Sequence, residues 1–76
     1  MVDEIAQERE PHLTGREQQI LELIADGGSA KQVARCIGIA PRTVERHIDN
    51  IRLKLHARNT PHAITRAYMN GALKVA

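Results

Sequence analysis

The stretch from Pro41 to Leu55 constrains this chain more than any other. Val44, Ile48, Ile51 and Leu55 fall at i, i+4, i+7 and i+11, which draws one apolar stripe along an α-helix about four turns long. Pro41 suits the first helical position, where its missing N–H would have no intrahelical partner. The other face carries Arg42, Arg46, Arg52 and Lys54, with Glu45, Asp49 and Asn50 among them. A helix that docks by its stripe and turns basic and amide side chains outward can enter a DNA groove, if the rest of the chain supports it.

That support must come from 76 residues, enough for one domain with a marginal core. Dimerisation would help such a core. No apolar run is long enough to span a membrane, and the N-terminus lacks the apolar stretch of a signal peptide. The single cysteine, Cys36, leaves no internal disulfide and fits a reducing cytoplasm. Tyr68 is the only aromatic residue, which argues against a base-stacking surface for single-stranded nucleic acid. Charge is unevenly spread. Residues 1–12 hold Asp3, Glu4, Glu8 and Glu10 against Arg9, whereas from Gly27 onward nine Lys and Arg face only Glu45 and Asp49. A basic body with a short acidic arm points to a polyanionic partner.

In chain order, residues 1–12 are polar, end after Pro11 and read as a flexible arm or linker remnant. Thr14 and Glu17 form a capping box that starts a helix over 15–26, with Ile20, Leu21 and Ile24 inward and Leu23 widening the stripe. Gly27 and Gly28 stop it. Ser29 and Gln32 form a second box, opening a helix over 30–37 with Val33, Ala34 and Ile37 inward. Gly38-Ile39-Ala40 is a tight turn into the helix over 41–55. Ile39 plugs the angle, and Ala40 is a weak N-cap. A fourth helix, 61–71, starts with Thr60 as N-cap and Pro61 in the first turn, and has an inward stripe of Ala63, Ile64, Ala67 and Gly71. Residues 72–76 read as a tail. The leucines of the first and third helices read as core. No strand pattern is present, so the expected fold is all-α, a four-helix bundle containing a helix-turn-helix.

Leu-Thr-Gly-Arg-Glu at 13–17, the apolar helix ending in Gly27, Lys31-Gln32-Val33-Ala34, Thr43-Val44-Glu45-Arg46-His47 and Ile51-Arg52-Leu53-Lys54-Leu55 occur in that order. Together, from about Leu13 to Leu73, they resemble the LuxR-type (GerE/FixJ) helix-turn-helix domain of bacterial transcription regulators. In most members this domain is the C-terminal half of a larger protein, and a few stand alone. The resemblance implies a third helix in the major groove, with Glu45, Arg46, Asp49 and Asn50 at base-reading positions. It implies phosphate contacts from Ser29, Lys31, Arg42, Thr43, His47 and Lys54. It also implies a homodimer through the fourth helix, with Thr65, Tyr68 and Met69 as its surface. RNA polymerase is a further implied partner. Three departures stand out: Ala30 replaces a frequent Asn, Ala40 replaces a hydroxyl cap, and Glu45 and Asp49 put two carboxylates on the reading face. Near phosphates, each carboxylate needs a cytosine N4 donor or an arginine, and Arg42 and Arg46 stand three residues before Glu45 and Asp49.

No metal, cofactor or catalytic set is implied. His12, His47, His56 and His62 have no zinc-site spacing, and no acid, base and nucleophile are grouped. His47 reads as satisfied by backbone or phosphate, and Cys36 as an apolar filler. The expected function is a cytoplasmic, sequence-specific, double-stranded DNA-binding transcription regulator. The competing reading, motivated by Glu45 and Asp49, is a helix-turn-helix derivative that sequesters another regulator without binding DNA.

Overall fold

The computed structural model describes residues 12–75, so the acidic arm expected over 1–12 lies, save for His12, outside the described residues. Four helices follow in order: α1 (Gly15–Ala25), α2 (Ala30–Ile37), α3 (Pro41–Leu55) and α4 (Thr60–Asn70). No strand occurs among the described residues.

Both expected capping boxes are formed. Glu17 N donates to Thr14 Oγ1 at 3.1 Å, and Thr14 N donates back to Glu17 Oε1 at 2.9 Å. Gln32 N donates to Ser29 Oγ at 3.2 Å, and Ser29 N to Gln32 Oε1 at 2.8 Å. Each box satisfies two amides that the helix start would otherwise strand. Ala40 makes no side-chain cap bond, and Pro41 opens α3 without one.

The turn between α2 and α3 depends on Gly38, whose φ of +75° is left-handed. That conformation lets Gly38 N and Ile39 N both donate to Ala34 O, at 2.8 and 3.1 Å, and drops Ile39 against the core. Gly28 matters for a different reason. A Cβ there would stand 3.0 Å from the Leu23 carbonyl oxygen and 3.3 Å from Val33 Cγ2, so a side chain would push its neighbours in the α1–α2 connection back by a few tenths of an ångström.

α3 packs against all three other helices. Val44, Ile51 and Leu55 are buried on it, meeting Ile20 and Leu21 of α1, Val33 and Ala34 of α2, and Ala63 and Ala67 of α4 in one core. Ile37, Ile48 and Ile64 pack at its margin.

Four expectations are corrected. α4 begins one residue early, because Asn59 rather than Thr60 is its N-cap: Asn59 Oδ1 accepts from His62 N at 2.8 Å. Asn59 and Thr60 are both able caps, and the extended backbone falls at Asn59. Gly71 then ends the helix in the left-handed conformation, exposed rather than inward. The start of the supposed tail, Ala72 and Leu73, is docked. Leu73 is buried, its N–H donates to Ala67 O at 3.1 Å, and Gln18 Nε2 donates to Ala72 O at 2.7 Å. Leu53, taken for core, is 74% exposed: its helical phase, 180° from the stripe, overrides its residue type.

Candidate nucleic-acid interface

At about 100° per residue, the surface of α3 sorts into strips. Arg42, Arg46, Asp49 and Leu53 lie directly opposite the buried stripe, and all four are exposed. Thr43, Asn50 and Lys54 are exposed on one flank beside half-buried His47. Glu45 is exposed on the other flank, with half-buried Arg52 beside it. All four expected base-reading residues, Glu45, Arg46, Asp49 and Asn50, therefore face outward from one helix. Leu53 stands among them, although its type suggested core.

The carboxylates are handled differently from the expected pairing. Asp49 accepts from Arg52, not Arg46, with Arg52 Nη1 3.0 Å from Asp49 Oδ1. Arg52 Nη2 also donates to the carbonyl of Arg58, in the α3–α4 loop, at 3.3 Å. Both i,i+3 and i,i+4 spacings bring an arginine within reach of a carboxylate. The second acceptor at Arg58 favours Arg52. Among the described residues, Arg42, Arg46 and Glu45 form no ion pair, which leaves two guanidinium groups free on the outward strip.

Lys54 is committed inward. Its Nζ lies 2.7 Å from Glu17 Oε1, the same oxygen that accepts the Thr14 amide. Glu17 is the one buried charged residue among those described. Burial opposes its charge, but the Lys54 hydrogen bond and cation, with the Thr14 donors, hold its carboxyl below the usual value of 4.5. An ammonium has three donors, so Lys54, with its side chain 37% exposed, retains N–H groups for a second partner.

The C-terminal end of α3 is tied off as firmly. His56 takes a left-handed φ of +56°, Ala57 N donates to Arg52 O at 2.9 Å, and Arg66 Nε from α4 donates to Leu55 O. Arg58 N donates to His62 Nδ1 at 3.0 Å, which fixes the loop to α4. The outward strip of α3 thus sits on a helix braced at its end by its neighbours.

Elsewhere, Ser29 and Lys31 are exposed at the start of α2. The Ser29 hydroxyl accepts from Gln32 N and keeps its own proton to donate. Thr65, Tyr68 and Met69 are exposed on one face of α4, Met69 to 76%. Cys36 is exposed rather than packed. No group of three metal-ligating side chains gathers among the described residues, and no helix among them is long and apolar enough to cross a membrane.

Comparison with known proteins places this surface in context. The family profile described as bacterial regulatory proteins, luxR family, matches residues 11–67. The transcriptional regulatory protein DesR of Bacillus subtilis is 38% identical over 74 residues, covering 97% of this chain and 37% of DesR. The transcriptional regulatory protein FixJ of Rhizobium meliloti is 37% identical over 59 residues, covering 78% of this chain and 29% of FixJ. The chain thus spans about a third of the length of these relatives. Among solved structures, the transcription factor GerE superposes with a TM-score of 0.77 at 34% identity, covering 82% of this chain and 92% of GerE. The Vibrio cholera VqmA–ligand–DNA complex gives a TM-score of 0.79 at 32% identity, over 87% of this chain and 29% of VqmA.

Proposed function

The chain belongs to the luxR family of bacterial regulatory proteins and carries its helix-turn-helix DNA-binding domain, and from that premise we propose that it is a sequence-specific regulator that seats α3 in the major groove of double-stranded DNA and acts as a homodimer through α4. The observation that carries this reading is the outward strip of α3, where Arg42 and Arg46 have no ion-pair partner among the described residues.

The roles divide by position. Arg46, central on the strip, is a bidentate reader of guanine O6 and N7, and Asn50 and Glu45 read from either side. Arg42 and Thr43, beside the uncapped start of α3, meet a phosphate together with the Arg42 amide, since Pro41 has no N–H and Thr43 N already donates to Ala40 O. Ser29 and Lys31 hold the backbone from the start of α2, and Lys54 donates to phosphate with the N–H groups that Glu17 leaves free. His47, half-buried on the same flank, reaches the same strand. Similarity to a VqmA–DNA complex and to a VqmA dimer supports DNA as the partner and two copies as the acting form. A cytoplasmic regulator of this kind meets RNA polymerase at its promoters. The sequestering reading is weaker, because Asp49 is already neutralised by Arg52 and Glu45 is left as the one unpaired acid on α3.

Anisotropy titrations on duplexes chosen from random sequence test this reading. Arg46→Ala should cost about 1–3 kcal/mol on the selected site and little on random DNA. Lys31→Ala should weaken both alike. Wild-type binding that is equally tight on every duplex, or absent at low salt, would overturn it.

A further inference from the structure

We infer that Arg52 is a positioning residue for base reading: it holds the Asp49 carboxylate in place, with its charge cancelled, so that Asp49 accepts the N4 amino group of cytosine in the major groove. This rests on the reading of α3 as the groove-bound helix.

A carboxylate aimed at DNA faces two obstacles, repulsion from the phosphates and the freedom of an exposed side chain. Asp49 has a side chain 67% exposed, so alone it would meet both. Arg52 answers them with one planar group. Nη1 lies 3.0 Å from Asp49 Oδ1, and Nη2 lies 3.3 Å from the Arg58 carbonyl oxygen. Arg58 is itself fixed, its N–H donating to His62 Nδ1 at 3.0 Å on α4. The guanidinium is therefore held by two of its nitrogens, while its Nε is buried without a hydrogen-bond partner. An ordinary exposed i,i+3 pair is loose. This one is anchored to a second helix.

Arg52 engages only Oδ1, and Asp49 Oδ2 has no hydrogen-bond partner among the described residues, so Oδ2 and a second lone pair of Oδ1 remain able to accept. Only cytosine N4 and adenine N6 offer amino donors in the major groove. Adenine sets its N7 acceptor beside N6, which repels a carboxylate, whereas cytosine has no acceptor on that edge. Cytosine is therefore the base selected. Arg52 needs no DNA contact of its own for this.

The test is selection of bound sites from random duplex DNA by wild type, Asp49→Ala, Arg52→Met and Arg52→Lys, with thermal melting of each variant. Wild type should prefer cytosine at one position of the half-site by roughly 5- to 150-fold, the range of one good base contact. Asp49→Ala and Arg52→Met should both flatten that position and leave the others unchanged, and the double variant should match either single one. Arg52→Lys keeps the charge but not the fork, and should lower the preference. If Arg52→Met does not melt cooperatively, Arg52→Lys decides: a lowered preference supports the inference and an unchanged one overturns it. A full cytosine preference in Arg52→Met, or an equal loss of affinity for all sequences, overturns it while leaving the DNA-binding reading standing. A wild type that selects no sequence overturns both.

Discussion

Glu17 Oε1 accepts from the Thr14 amide of its own capping box and from Lys54 on α3, so one oxygen joins the start of α1 to the end of α3. The carboxyl is held below its ordinary value. A carboxyl depressed in the folded state contributes stability that is present above its unfolded value and is lost as pH falls through the folded one. Urea denaturation should therefore show wild type losing stability as pH drops below 4.5, in a component that Glu17→Gln lacks. Parallel pH curves for the two proteins would refute this. Leu53 and Leu55 make a second contrast. Leu55 is 1% exposed and Leu53 74%. Leu55→Ala should cost about 2–5 kcal/mol, and Leu53→Ala should change stability by less than about 0.5 kcal/mol. Chemical denaturation measures both, and equal losses would put Leu53 back in the core.

The helices were legible where local chemistry alone decides them. Thr14 with Glu17, Ser29 with Gln32, and Gly38 followed by Pro41 each state a boundary, and the structure places all three there. The rest depends on tertiary partners. Asn59 and Thr60 are interchangeable as caps until the loop fixes which one is extended. Leu73 follows a terminating glycine, so only the packed bundle shows that it closes the core. Asp49 could have paired with an arginine on either side, and the Arg58 carbonyl favours Arg52. Two helix ends are also left improvable. Ala40 has extended backbone and no capping side chain, so Ala40→Ser should add about 1 kcal/mol. His56 is left-handed without being glycine, and His56→Gly should add about 0.5–1 kcal/mol. Melting curves test each. A loss of stability in Ala40→Ser would mean that the start of α3 needs the space.

For the whole molecule, the basic and apolar surfaces make one joint prediction. On the proposed reading, Lys31, Arg42 and Lys54 contribute about three phosphate contacts per protomer, for which the logarithm of affinity should fall with the logarithm of salt at a slope of about −3. A dimer on two half-sites doubles the contacts and should give about −5. Dimerisation through α4 is expected to use Tyr68 and Met69, both exposed and outside the core. The double variant Tyr68→Glu, Met69→Glu should therefore keep its fold and its affinity for a single half-site. On a paired site its slope should drop from about −5 to about −3, because two unlinked protomers bind independently. Salt titrations by anisotropy on both duplexes read this directly. A paired-site slope that stays near the wild-type value would show that the protomers meet through another surface, and one near −3 for the wild type itself would show that it acts alone.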